Sequence, residues 1–196
     1  MVGLQKELHQ KKKYPPEDWP LSKQWATRAI YRAHSGFYFL KDSLEKIYKG
    51  GTDSVYSRSL YILLSFHCEL LLTAYLLVLL KDECPQKTER DLMDMLKGKN
   101  NHDLKDLSEK IGKKNLKNLG IENVKLETKN DLKRYIINLA DNKKIIIEDL
   151  ITVRYDFKYD KLRDFNANES DEINQGVVNL LKMTTKVIKM LPNNPK

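Results

Sequence analysis

Apolar positions recur at helical spacing along most of the chain. Trp25, Ala29, Ile30, Ala33, Phe37, Leu40, Leu44 and Ile47 follow a 3.6-residue period. Ser22, two residues after Pro20, is placed to cap this first helix, and Gly50 with Gly51 ends it. Asp53 or Ser54 caps a second helix running to about Lys81. "DECPQK" breaks the chain, and a short helix follows over 88–97. "GKNN" is a turn in which Asn100 or Asn101 can cap the helix "HDLKDLSEKI", which stops at Gly112. The polar stretch 113–127 reads as irregular. Thr128 with Asp131 has the spacing of a capping box and opens a helix over "LKRYIINLA". "KKIIIEDLITVRYDF" reads as a further helix, although Ile145, Ile146 and Ile147 have the propensity of a strand. "FNANESDE" is a loop and cap. A last helix over 170–191 buries Ile173, Val177, Leu181, Thr184, Ile188 and Leu191 before Pro192 ends it.

No strand pattern persists and no segment repeats. The expected fold is therefore all-α: a helical bundle of long antiparallel helices around a central apolar helix. Residues 1–20 read as a loosely held arm, 21–191 as one domain and 192–196 as a tail.

The central helix is the most apolar stretch, "LYILLSFHCELLLTAYLLVLL" over 60–80. Its length allows a membrane span. Its Leu, Ile, Val and Phe side chains would favour insertion by roughly 4 to 8 kcal/mol, against a cost of about 3 kcal/mol for Glu69 at the centre. Three features favour a protein core instead. Basic residues flank both ends (Lys46, Lys49 and Arg58 before; Lys81, Lys87 and Arg90 after), so no orientation is encoded. Arg58, Ser65, Glu69 and Thr73 align on one narrow stripe. The other amphipathic helices also need a partner for their apolar faces.

Charge changes the picture little at first sight. The 196 residues carry 35 Lys and Arg against 27 Asp and Glu, a net charge of +8. That surplus permits binding to nucleic acid or an anionic surface without requiring it. Short lysine clusters lie at 11–13, 113–114 and 143–144, and a solvated lysine-rich surface is the simpler reading. Of the two cysteines, Cys68 lies inside the apolar run and Cys84 outside it, which is no disulfide framework and fits a reducing, cytoplasmic compartment. The first twenty residues contain no apolar run of the secretory-signal type.

The chemistry-bearing motifs are few. There is no phosphate-cradling glycine loop, no nucleophile elbow and no metal-ligand spacing; His9, His34, His67 and His102 are scattered. No metal and no cofactor is expected. Glu69 needs a partner if buried, and Arg154, Arg58 or a tyrosine can supply it; a carboxylate facing a cleft is the other reading. His67 reads as a core or interface histidine. His102, just before an acidic helix turn, can cap that helix or act as a base. Arg154 lies among Tyr155, Phe157 and Tyr159, where it can pair a carboxylate or bind phosphate.

Three segments, in this order, resemble the HEPN superfamily (higher eukaryotes and prokaryotes nucleotide-binding domains): "ELLLTAYLLVL", opening with Glu69; "NHDLKDLSEKI", with its His-Asp-Leu helix start; and "LITVRYDFKYD", with an Arg-Tyr pair. Many relatives carry Lys four residues after the Glu, where this chain has Thr73. The resemblance implies a helical bundle that often dimerises. Its members include metal-independent ribonucleases of defence or toxin systems and non-catalytic partners of small nucleotidyltransferases. Catalytic members use Arg, then four to six residues, then His, on the late helix. Here Arg154 is followed by Tyr159 and Asp160, with no histidine. Arg28 and His34 have an allowed spacing but lie on the first helix, on different faces.

The expected function is a HEPN-like module that binds RNA, a nucleotide or a partner protein, in bacterial defence or a toxin–antitoxin pair, and does not cleave. The ligand-binding candidates are Glu69, Asp103, Arg154, Tyr155 and Lys158. The alternative is a metal-independent ribonuclease with a degenerate site at His102, Arg154 and Tyr159, His102 being the one proton acceptor near these motifs. A homodimer and a nucleotidyltransferase-type partner are the protein partners to look for. A single-span membrane protein is the remaining, weaker reading.

Overall fold

The computed structural model describes residues 15, 19–50, 54–80, 88–96, 103–129, 132–148 and 167–191. These residues are mostly helical, in the order α1 (Leu21–Gly50), α2 (Ser54–Leu79), α3 (Glu89–Leu96), α4 (Leu104–Ile111), α5 (Lys113–Leu119), β1 (Ile121–Lys129), β2 (Leu132–Leu139), β3 (Lys144–Glu148) and α6 (Ala167–Met190).

Helices α1, α2, α3, α4 and α6 arise where the sequence predicts them, with small changes at the caps. The backbone N–H groups of Lys23 and Gln24 both donate to the carbonyl of Pro20, so α1 starts ahead of the expected cap and Ser22 is a buried member of its first turn. Thr88 and Asp91 form a reciprocal capping pair at α3: Thr88 N–H donates to Asp91 Oδ2 at 2.9 Å, and Asp91 N–H to Thr88 Oγ1 at 3.3 Å. The cap of α4 is Asp103, not Asn100 or Asn101. Trp19, within the expected N-terminal arm, is buried, and Lys23 Nζ stands 3.1 Å from its ring centroid.

The all-α expectation fails over 121–148. Residues 113–119, expected to be irregular, form α5, and Gly120 (φ +97°) turns the chain into β1. The stretches read as irregular chain and as two helices are instead a three-stranded antiparallel sheet in the order β1-β2-β3. The register puts Val124 opposite Ile137 and Ile137 opposite Ile145, and Leu126 opposite Tyr135 and Tyr135 opposite Ile147. One face is thus a block of β-branched and aromatic side chains that cross-strand pairing rewards. The opposite face carries Asn123, Lys125, Glu127, Arg134 and Lys144 around the paired, half-buried Ile136 and Ile146. Asn138 Nδ2 donates to Asn123 Oδ1 across it at 2.7 Å. The β2–β3 loop closes through Leu139 N–H to Lys143 O at 2.8 Å, with Asn142 at φ 60° supplying the left-handed residue.

One core joins both parts. α2 packs against α1, α4, α6 and β3, while β1 lies on α4 and α5. Ala26, Ile30, Ala33, Phe37 and Leu40 of α1 meet Leu64, Leu71, Ala74 and Tyr75 of α2 in that core. Tyr75, also in it, donates from its hydroxyl to Asn115 O at 2.9 Å, tying α2 to α5. Among the described residues, Ile62–Leu79 is the one window long and apolar enough to cross a membrane, and more than half of it is buried inside the protein.

Candidate functional site

Two of the seven residues singled out from the sequence fall within the described structure, Glu69 and Asp103. His102, Arg154, Tyr155, Lys158 and Tyr159 lie outside the described residues. Arg58 lies in α2, but its side chain is not described.

Asp103 owes its position to the start of α4. Its backbone is extended, and its Oδ1 accepts from Lys105 N–H at 2.8 Å and Asp106 N–H at 3.3 Å. These donors would otherwise be left without partners, and a carboxylate at a helix N-terminus also meets the positive end of the helix dipole. Leu104, Leu107 and Ile111 bury the other side of α4 in the core shared with α2. Glu69 is half-buried on α2 and is engaged with a partner. The two acids therefore lie on helices that pack together, α2 and α4.

Both described histidines are built into helix contacts. His67 is buried against α1 at Gly36, where an added Cβ would fall 2.0 Å from the imidazole Nε2. Only the missing side chain at Gly36 allows that approach, against a helix-propensity cost of about 1 kcal/mol. Phe37 and Phe66 meet the ring edge to face, with centroids 5.8 and 5.3 Å away. His67 Nδ1 is buried and has no hydrogen-bond partner among the described residues. Burial holds the His67 imidazole below the usual histidine range.

His34 lies at the α1–α6 seam. Thr184 Oγ1 donates to Leu181 O at 2.8 Å, so it accepts from His34 Nδ1, 2.8 Å away. That assigns the Nδ1–H tautomer to His34. Tyr38 packs edge-on to the same ring at 5.0 Å, and burial lowers the His34 pKa also. Arg28 is exposed and directed to Gln24 Oε1 at 3.4 Å, so Arg28 and His34 form no common site.

The cysteine among the described residues is quiet. Cys68 is fully buried, and burial pushes its thiol far up, which keeps it protonated and unreactive. Among the described residues no group of three His, Cys, Asp or Glu side chains is placed to hold a metal ion.

Reading the sequence for lysine runs overlooked a different charge feature. Residues 21–41 and 173–196 contain no Asp or Glu, and they supply most of α1 and α6, which pack on each other. The missing acids, rather than any cluster of bases, were the available signal. No family model, curated protein or solved structure matches this chain.

Proposed function

We propose that the chain is a HEPN-like helical module that binds RNA or a nucleotide without cleaving it. The observation that carries this reading is the docking of the Asp103-capped helix on α2. Asp103 and Leu104 thereby open a helix that packs on the one bearing Glu69. The α1–α2 contact fits the same frame. Gly36 and His67 meet at similar distances in sequence from the 51–53 connection, as two antiparallel helices joined by a short link require. The sheet between α5 and α6 is then an addition to the bundle.

Two features support binding over cleavage. No histidine follows Arg154 at the spacing used by catalytic relatives. His34 and His67, which could have replaced it, are occupied in helix contacts. The module fits a cytoplasmic setting as a dimer, in defence or beside a nucleotidyltransferase, and that setting rests on the family resemblance alone.

The test is a cleavage assay with chelator on structured and single-stranded RNA, run beside RNA and nucleotide binding. The expected result is salt-sensitive binding, no cleavage, and weaker binding by Arg154→Ala. Robust cleavage lost in both Arg154→Ala and His102→Ala would make the protein a ribonuclease. Failure to bind RNA or any nucleotide would leave a protein-interaction module.

A further inference from the structure

The solvent side of α1 is not as polar as its position calls for. A helix with one side in a core ordinarily shows charged and polar residues to water. Among the described residues six large apolar side chains are more than a third exposed. Phe66, Met93 and Met190 are dispersed, one each, over α2, α3 and α6. Tyr31, Tyr38 and Phe39, at 39%, 54% and 60%, lie together on α1.

These three belong to one stripe. Arg28, Ser35 and Asp42 recur every seven residues and are exposed. Tyr31 with Arg32, and Tyr38 with Phe39, fill the half-repeats between them. At 3.6 residues per turn these positions occupy an arc of about 120° centred on Ser35. That arc lies opposite the buried Ala26, Ile30, Ala33 and Phe37. A seven-residue repeat of this kind is the seam along which one helix packs on another.

The stripe is complementary to itself when inverted. Arg28 and Arg32 stand in its first half, where α1 has no acid before Asp42; Asp42 ends the second half. A two-fold axis at Ser35 sets Arg28 against Asp42 of a second copy, Arg32 against its Tyr38, and Tyr31 against its Phe39, each contact occurring twice. These are an opposite-charge pair, a cation–π pair and an aromatic pair. The small Ser35 at the crossing lets the helix axes approach. A parallel pair would instead oppose Arg28 to Arg28 and Asp42 to Asp42. RNA would meet Asp42 on the same stripe, and a lipid surface would have to bury charges of both signs.

We infer that the outer face of α1 is a homodimer interface, in which two copies pack antiparallel through residues 28–42 with the two-fold axis at Ser35. It goes beyond the RNA-binding reading above and does not depend on it.

The experiment is sedimentation equilibrium of the full chain over a concentration series up to about 100 µM, a range that reaches small interfaces. The parent should show a monomer–dimer equilibrium. Tyr31→Ala/Phe39→Ala should raise the dimer Kd ~10-fold or more, because both changes enter the interface twice. Arg28→Asp and Asp42→Arg should each weaken association ~3-fold or more by opposing like charges, and Arg28→Asp/Asp42→Arg should restore it. All four positions are exposed, and melting curves matching the parent's show that the variants remain folded. Register is read by a short bis-maleimide in a Cys84→Ser background. Ser35→Cys should crosslink to itself. Asp42→Cys should not, since its two copies would lie about 21 Å apart, but should crosslink when mixed with Arg28→Cys. A parent that stays monomeric throughout the series overturns the inference. So does a charge-reversed double variant no better than its single changes, or Asp42→Cys that crosslinks by itself, which marks a parallel pair. A parental dimer from Tyr31→Ala/Phe39→Ala puts the interface elsewhere and rejects it too. None of these results bears on RNA binding, and a parent that dimerises as expected but binds no RNA rejects only the RNA reading.

Discussion

The helical layer of α1, α2 and α6 and the part built from α4, α5 and the sheet share a core but are held together differently. In the helical layer, long helices meet through small residues. Ala26, Ala29, Ala33 and Gly36 let α1 approach closely, and His67 fills the space left at Gly36. In the other part, short elements are fixed by backbone pairing and local caps. These are the β1–β2–β3 ladder, the Asp103 cap, the Gly120 turn and the Asn142 loop. Close packing makes the first region sensitive to volume. Ladders and caps make the second sensitive to individual hydrogen bonds.

The largest effect should follow from emptying the helical core. Phe37 is fully buried and touches the His67 ring. Phe37→Ala should destabilise by about 3–5 kcal/mol in denaturant unfolding. A loss below about 1 kcal/mol would mean that the α1–α2 contact is loose and the contrast drawn here is wrong.

Overfilling the same contact should come next. Gly36→Ala places a methyl group inside the His67 ring, and overpacking of that kind costs about 1–3 kcal/mol. Adding His67→Ala to it should then cost less than the two single changes together, because the clash is gone. Gly176 of α6 gives the matching experiment at the sheet. There an added Cβ would stand 3.2 Å from Ile145 Cγ1, a tight contact and not a collision. The gain of about 1 kcal/mol in helix propensity should leave Gly176→Ala near neutral. Equal losses at the two glycines would erase the distinction between the regions.

A smaller change separates the parts by hydrogen bonding. Asp103→Ala removes an acceptor from two backbone N–H groups and should cost about 1 kcal/mol. Asp103→Asn should keep most of that stability. Hydrogen exchange should show the loss as fraying of the first turn of α4, with α1 unchanged. If Asp103→Ala instead weakens RNA binding at unchanged stability, its carboxylate belongs to a ligand site.

The same contrast explains what the sequence reveals. α1 and α6 bury one side over many turns, so their period is unambiguous, and α2 is marked by its long apolar run, so these element boundaries come within a few residues. The strands are too short for that. Leu132, Tyr135, Ile136 and Leu139 sit at i, i+3, i+4 and i+7, as a helix demands, while Tyr135, Ile137 and Leu139 alternate as a strand demands. The deciding factor is the pairing of Tyr135 with Leu126 and Ile147, which no local window contains. The site divides likewise. Asp103 is of a capping type, but Asn100 and Asn101 just before it are equally suited by type, so the local sequence points to a cap two or three residues too early. The Gly36–His67 contact and the His34–Thr184 bond join distant positions that only the fold brings together.

The subtlest difference between the regions should appear with pH. Both described histidines belong to the helical layer, and residues 103–148 contain none. Burial lowers both pKa values from an unfolded value near 6.5. The unfolded chain therefore binds more protons between the lowered folded value and about pH 6.5. The histidine contribution to stability is full above about pH 6.5 and is lost as pH falls through the folded value. His34 already donates from Nδ1 to Thr184, and an imidazolium can keep that bond. His67 must instead place a charge between Phe37 and Phe66, with no partner for Nδ1 among the described residues. His67 should therefore carry most of the effect. Between pH 7.5 and 5.5, hydrogen exchange should show α1 and α2 losing protection near Gly36 and His67 while β2 keeps its own. His67→Leu should flatten the melting temperature over that range, and His34→Gln should not. If β2 loosens in step with α1, the two regions open as one unit and the histidines do not distinguish them.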